Sequence, residues 1–429
     1  MSSQLIGLLC MAGMLGAIAL RMPIALAMAL TGFIGFGWVV AFGPAVSILE
    51  SGAMDTLTNY SFSPIPMFIL MGVFASKARM SSELFNGAKT LFGAWRGGMA
   101  LAAVTSCGIF SAISGSSLAT AASMAKVALP EMKKNGYASS LATGTLAAGG
   151  TLGIMIPPSI ALLLYALLTE QSVGDMFIAG VMPGLLGLLL YMVAIAVTVW
   201  LKPELAQPGE ATTLRQKIMG LKGVLPFGLV FALIIGGIYG GIFTPTEAAA
   251  VGAFGTLLIA LYRGLSFQDF TDAVQETLIM ATLIFFMVIG ANIFGYFLSV
   301  SRVSFALVEL VGSMDLSPAL ILLCILTLYI VLGMVMDSIA MLLLTVPVVF
   351  PLAMQAGFDP IWFGIITVIT VELGLITPPI GMNVFVIKSV AEDVSIVEIF
   401  KGVVPFVISD IVRLGLIIGF PFLALGLVN

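Results

Sequence analysis

The sequence predicts an all-α polytopic membrane protein built from two inverted-topology repeats, each with a re-entrant hairpin and a broken helix. Three observations predict it. Of the 429 residues, 60% are hydrophobic and only 9% charged, whereas a soluble domain carries roughly 25% charged residues. Apolar runs recur along the whole length, and at about 20 residues per crossing the chain can span a bilayer about ten times. Residues that decide backbone shape in the first half return, in order, in the second.

Composition also removes whole classes of chemistry. The chain has no histidine, so Ser-His dyads, imidazole metal sites and histidine proton relays are excluded. No G-x-x-x-x-G-K-[ST] loop is present, and the nearest fragment, Gly87-Ala-Lys89-Thr90, lacks the frame. An enzyme, and ATP hydrolysis by this chain in particular, is therefore not expected. A net charge of −4 without a basic run gives no reason to expect a nucleic-acid partner. Cys10, Cys107 and Cys324 sit in apolar segments without ligand spacing and read as buried small hydrophobes.

The apolar segments fall near 4–20, 22–42, 62–76, 97–130, 138–168 and 176–201, then 223–242, 245–262, 277–300, 317–351, 360–388 and 402–427. Met1-Ser-Ser-Gln4 carries no positive charge and leads into a first spanning helix rather than a cleaved signal. The segments 97–130 and 317–351 are longer than one crossing needs and are interrupted by Ser114-Gly-Ser-Ser117 and by Gly333-Met-Val-Met-Asp-Ser338. Both read as hairpins that enter and return. The segments 138–168 and 360–388 contain Pro157-Pro158 and Pro378-Pro379 and read as broken helices. Residues 1–208 form the first repeat, 209–222 a cytoplasmic linker and 223–429 the second repeat. Between Met80 and Trp95, Leu84, Phe85, Ala88, Leu91 and Phe92 recur at helical spacing, which predicts a helix lying in the interface.

The repeat rests on positions rather than on overall identity. Laying Pro157-Pro158 on Pro378-Pro379 places Pro130 on Pro351, Gly136 on Gly357 and Gly153 on Gly374, without a gap from Ser116 to Val173. One residue out of register, Gly180-Val-Met-Pro183 meets Gly402-Val-Val-Pro405. If each hairpin returns to its own side, each half crosses an odd number of times and the second half is upside down. With the N-terminus outside, every Lys and Arg except Lys126, Arg302 and Arg413 falls on the cytoplasmic side, as the positive-inside rule requires.

Interrupted segments at matching places of two repeats point to a midplane site. Adjacent prolines remove amide donors and open each helix, freeing carbonyl oxygens that suit a hard cation such as Na⁺. The hairpin tips add oxygens from Ser111, Ser114, Ser116 and Ser117 on one side and from Gly333, Asp337 and Ser338 on the other. Two sodium cages, one per repeat, follow. Asp337 is an ionisable group at membrane depth and a functional candidate by default: it can bind a cation, receive a substrate hydroxyl or pair with a base. Glu372 aligns with Thr151 beside the repeated glycine, Glu247 reads as a helix cap, and Asp410 and Arg413 read as a local pair. No arginine stands beside either Pro-Pro in sequence.

Several stretches resemble the large membrane subunit of tripartite ATP-independent periplasmic (TRAP) transporters. They are Gly240-Gly-Ile-Phe-Thr-Pro-Thr-Glu-Ala-Ala-Ala-Val251, Arg21-Met-Pro-Ile-Ala25, Ser63-Pro-Ile-Pro-Met-Phe-Ile-Leu-Met-Gly72, Ser114-Gly-Ser-Ser-Leu-Ala119, Gly153-Ile-Met-Ile-Pro-Pro-Ser159 and Thr377-Pro-Pro-Ile-Gly-Met-Asn383. The resemblance implies an elevator-type secondary transporter of the bacterial inner membrane, with a fixed scaffold and a moving domain that carries both hairpins. It implies sodium-driven uptake of an organic acid of the C4-dicarboxylate, keto acid or sialic acid type. The partners it implies are a separate small membrane subunit of about four helices and a soluble periplasmic substrate-binding protein. By similarity one sodium site uses Ser111, Ser114, Gly153, Ile156 and Pro158, the other Gly333, Gly374, Thr377 and Ile380. Ser116, Ser117, Asp337, Ser338 and Asn383 are then the candidate substrate contacts.

A stand-alone sodium–anion symporter of related architecture is the alternative within transport. An intramembrane hydrolase is disfavoured by the missing histidine and by the lack of a G-x-G-D run. A scaffold subunit without a pathway leaves the paired broken helices unexplained.

Overall fold

The computed structural model describes residues 2–209 and 212–428. Among them every regular element is helical, and one isolated bridge joins Arg96 to Pro208. The first half runs through α1 (Ser3–Ala19), α2 (Ile24–Val39), α3 (Phe42–Thr58), α4 (Pro64–Lys77), α5 (Met80–Phe92), α6 (Gly98–Ser114), α7 (Ser117–Lys134), α8 (Ser139–Thr151), α9 (Ile160–Leu168) and α10 (Val173–Leu201). The second runs through α11 (Leu214–Tyr239), α12 (Pro245–Tyr262), α13 (Phe267–Ser301), α14 (Val303–Ser313), α15 (Pro318–Gly333), α16 (Ser338–Gln355), α17 (Pro360–Ile376), α18 (Met382–Val390), α19 (Ile396–Gly419) and the short α20 (Phe422–Leu425). Six of these helices are long and apolar enough to cross a membrane, and α3 with α4, bent by 57° at their junction, is long and apolar enough when taken together. This is a multi-pass membrane protein.

Local signals place the helix ends. Ser2, Ser159, Ser172, Thr213, Ser266, Ser317 and Ser395 each accept an amide hydrogen bond from the first turn that follows, which satisfies a donor the helix itself cannot. Thr244 and Glu247 form a reciprocal capping box ahead of Pro245, so the capping role expected for Glu247 is the one it performs.

The order of elements in the first half recurs in the second. The bent pair α3–α4 answers the single 35-residue α13, which is roughly 52 Å long at 1.5 Å per residue. The helix that follows each is short and starts after an arginine in the left-handed region, Arg79 (φ 55°) before α5 and Arg302 (φ 56°) before α14. Contacts between halves are reciprocal too: α2 packs on α13 and α12 on α4, α7 on α18 and α16 on α9, α8 on α19 and α17 on α10. The helices thus sort into two bundles. One holds α1–α4 and α11–α13; the other holds α6–α10 and α15–α20. Among the links between the bundles is α5, packed on α11 to one side and on α6 and α7 to the other.

Four features differ from the sequence expectation. Residues 214–222 of the expected 209–222 linker are already helical, because the Thr213–Gln216 capping box starts α11 at Leu214. α3 and α14 lie in stretches read as outer loops; α3 carries Glu50 and Asp55 among apolar residues, and this mixed pattern hides a helix from a hydropathy scan. The apolar face of α5 rests on protein, with Leu84, Phe85 and Ala88 buried. Of the cysteines only Cys107 is buried; Cys10 is half-buried and Cys324 exposed.

Close backbone contact holds the second bundle together. α8 and α19 cross where a Cβ on Gly402 would stand 1.9 Å from the Ser140 carbonyl oxygen and one on Gly144 2.3 Å from the Gly402 carbonyl. Small residues at such a crossing let apolar helices gain dispersion contact where lipid offers no hydrophobic drive. Replacing Gly402→Val must push the helices apart, at a cost of about 1–3 kcal/mol or more. A lowered thermal unfolding midpoint in detergent is the expected result, with Gly228→Ala, where nothing lies within 4 Å of the new Cβ, left unchanged.

Candidate functional site

In the second bundle, each hairpin tip lies on the break of its own half. Along α8 the helix tightens into a 3₁₀ turn, Leu152–Ile154, and then stops at Pro157-Pro158. Carbonyl i of an α-helix takes its hydrogen bond from amide i+4, so Pro157 deprives Gly153 of its donor and Pro158 deprives Ile154. Ser159 compensates the second loss by donating its hydroxyl to the Ile154 carbonyl and caps α9 with the same oxygen. In the second half Pro378 removes the i+4 donor of Gly374, whose carbonyl takes the Thr377 amide instead at 3.1 Å, and the chain leaves α17 extended at Thr377. Both Pro-Pro bonds are cis.

The tip of the first hairpin, α6 to α7, turns at Gly115 (φ 59°). Its backbone presses on the break: a Cβ on Gly153 would stand 2.6 Å from the Ser116 carbonyl oxygen, and one on Gly115 3.3 Å from that of Pro158. In the second hairpin, α15 to α16, a Cβ on Gly374 would stand 2.7 Å from the Gly333 Cα, and the Gly381 amide donates to the Met334 carbonyl at 3.1 Å. Glycine at 153 and 374 is what allows this approach. The two breaks are not equally enclosed: Pro157 and Pro158 are buried, whereas Pro378 and Pro379 are exposed on this chain.

The residues named from the sequence behave differently from one another. Gly153 and Pro158 meet the first tip, and Gly333 meets Gly374. Ser111 donates its hydroxyl to the Cys107 carbonyl at 2.5 Å, and the Ser114 hydroxyl lies 2.6 Å from that of Thr120, so both are engaged within the hairpin. Thr377 likewise donates to the Leu373 carbonyl at 2.6 Å. Ile156 is buried against Gly184 of α10, and Ile380 is half-buried beyond the second Pro-Pro. A set of neutral carbonyl and hydroxyl oxygens fits a hard monovalent cation.

Of the candidate substrate contacts, Ser117 and Asn383 are brought together at Gly150, whereas Asp337 and Ser338 stand at the tip of the second hairpin. Ser116 caps α7 and Asp337 caps α16, the aspartate accepting from the Ile339 and Ala340 amides at 3.0 and 3.1 Å. Among the described residues no basic side chain lies within ion-pair distance of Asp337; a helix N-terminus stabilises its charge instead. Ser117 and Ser338 follow the caps, both buried. Asn383, at the start of α18, crosses to the other half and donates to the Ala147 carbonyl of α8 at 3.1 Å. Its Oδ1 and the Ser117 hydroxyl are buried without a hydrogen-bond partner on the chain. Both residues border Gly150, whose Cβ would stand 3.0 Å from the Ser117 carbonyl oxygen and 3.1 Å from Asn383 Nδ2.

Sequence reasoning pairs Arg413 with Asp410 alone and misses its reach to Glu372 behind the second break. Arg413 of α19 is fully buried, with Nη1 3.4 Å from Glu372 and 3.5 Å from Asp410. Glu372 stands two residues before Gly374. The local pair expected from i, i+3 spacing exists, but it is part of a larger cluster. An arginine inside an apolar segment was itself the available signal, since such a charge takes a partner within the bundle.

Comparison with known proteins follows the same lines. The chain matches the family model of the tripartite ATP-independent periplasmic transporter, DctM component, over residues 11–423. It is 36% identical over 394 residues to the C4-dicarboxylate TRAP transporter large permease protein DctM of Pseudomonas aeruginosa, covering 91% of this chain and 92% of that one. It is 33% identical over 393 residues to the isethionate TRAP transporter permease protein DctMQ of Oleidesulfovibrio alaskensis, covering 90% of this chain and 60% of that longer protein. Among solved structures, the Alcanivorax borkumensis YdaH transporter shares the fold, with a TM-score of 0.61 over 89% of this chain and 90% of that one at 14% identity.

Proposed function

Because the chain belongs to the DctM family of tripartite ATP-independent periplasmic transporters, we propose that it is the carrier of a sodium-coupled importer of an organic acid. The observation that carries this reading is the pair of helix breaks, each with a hairpin tip packed on the glycine before its Pro-Pro. Sodium ions bind among the carbonyl and hydroxyl oxygens at the breaks, one site per repeat. The acid binds between the tips, and the residues that contact it are Ser116, Ser117, Asp337, Ser338 and Asn383. A small anion such as the C4-dicarboxylate or isethionate named for the relatives is the substrate class favoured.

The reciprocal packing of the halves supports inverted repeats related by an axis in the membrane plane. The division into two bundles supports an elevator, with α1–α4 and α11–α13 as scaffold and the bundle of both breaks as the moving part. A periplasmic binding protein delivers the acid. A small membrane subunit, separate or joined to this chain, completes the scaffold in the inner membrane.

The test is uptake of a radiolabelled C4-dicarboxylate into proteoliposomes. This chain is reconstituted alone and with its small subunit and binding protein, with and without an inward sodium gradient. Uptake only with all components and sodium is the expected result. Uptake by the chain alone identifies a stand-alone symporter instead, and uptake indifferent to sodium removes the coupling ion.

A further inference from the structure

One buried polar chain joins the two breaks directly. At the end of α8, Thr151 stands two residues before Gly153, as Glu372 on α17 stands two before Gly374. The Thr151 hydroxyl lies 2.7 Å from the Ala148 carbonyl and 3.0 Å from the Tyr191 hydroxyl of α10. Tyr191 gives its proton to Asp410 of α19 at 2.5 Å, so the single Thr151 proton is shared, in a three-centre bond, between the Ala148 carbonyl and the Tyr191 oxygen. Arg413, one turn on, reaches both Asp410 and Glu372. All five side chains are buried, with exposures of 0–1%.

We infer that Thr151, Tyr191, Asp410, Arg413 and Glu372 form a strap that sets the register between the two breaks, so that the first sodium site and the second do not act independently. The inference rests on the sodium reading above. Packing alone does not require these residues, because apolar side chains of similar volume often do as well as a buried charged triad or better. What a polar chain adds is direction: each member fixes the position of the next, and a dry interior makes each link costly to break.

The surroundings are shaped to hold it. A Cβ on Gly187 of α10 would stand 2.7 Å from the guanidinium carbon of Arg413, so the arginine lies flat on bare helix backbone. The Tyr191 ring is fixed edge-on by Phe406, with centroids 5.3 Å apart. The links of Arg413 are single-point, and its Nε and Nη2 and the Glu372 Oε1 have no hydrogen-bond partner on the chain. A small shift of α17 toward α19 therefore converts a one-point contact into a forked one. The strap has room to tighten when the second break moves, and the pull reaches Thr151 through Asp410 and Tyr191.

A double-mutant cycle on the reconstituted transporter tests this. Thr151→Val and Glu372→Gln are made singly and together, and two quantities are read: the sodium concentration for half-maximal uptake, and the rise in unfolding midpoint caused by sodium. The two residues are not bonded to each other, so independent sites predict that the fold-changes multiply. A strap cut once is not cut again: the double variant should match the worse single variant in both quantities. Multiplying fold-changes overturn the inference. Should Glu372→Gln fail to fold, Tyr191→Phe keeps the packing on Phe406 and removes the central link. It should reproduce the shift in sodium dependence, and an unchanged sodium response overturns the inference. If the wild-type transporter itself shows no sodium response, the sodium reading has failed and the inference falls with it, a result visible before any variant is made.

Discussion

Gly153→Val and Gly374→Val each cut uptake by roughly tenfold to a hundredfold, the largest functional losses expected from any single substitution in the chain. A side chain at either place meets backbone, the Ser116 carbonyl in one case and Gly333 in the other. Backbone cannot rotate away as a flexible side chain can. The hairpin tip must lift, at a cost of about 1–3 kcal/mol to the closed arrangement, and each 1.4 kcal/mol is about tenfold in an equilibrium. The oxygens around the break move apart by the same displacement. Initial uptake rates at saturating sodium check the effect, with Gly228→Ala as the control in which nothing is met. Normal uptake by both valine variants would mean that the tips do not close on the breaks during the cycle.

The largest loss of stability is expected at Arg413. Arg413→Leu leaves Glu372 and Asp410 buried without a counter-charge, the situation that costs about 3–5 kcal/mol when one partner of a buried pair is removed. The thermal unfolding midpoint of the purified chain should fall accordingly, and expression with it. The penalty comes from the stranded carboxylates rather than from lost packing. A triple variant that adds Glu372→Gln and Asp410→Asn should therefore recover much of the midpoint. If the triple variant is no better than Arg413→Leu alone, the arginine acts by filling space. Recovery of the fold without recovery of sodium dependence would separate stability from the strap.

Much of this was legible in the chain because it is local. The breaks are written as Pro-Pro after glycine, and a missing amide needs no tertiary context to interrupt a helix. Hairpin tips showed as polar, glycine-bearing interruptions in segments too long for one crossing. Glu247 was readable as a cap from its spacing to Thr244. The helices α3 and α14 were not legible, since acidic residues among apolar ones resemble a loop when hydropathy alone is followed. Asn383 was named from its motif, but its reach to Ala147 in the other half had no sequence signal.

What the sequence determined by itself is most of the helices, α3 and α14 excepted, the places where they break, and the repetition of both. Each depends on a few neighbouring residues, through hydropathy, missing amides and caps. What only the tertiary structure decided is which groups meet: tip backbone on Gly153 and Gly374, Asn383 on α8, and Arg413 against Glu372 rather than Asp410 alone. Those contacts join residues tens to hundreds of positions apart. They depend on helices approaching closely where glycines remove the side chain, and on buried charges that must find partners once water and lipid are excluded.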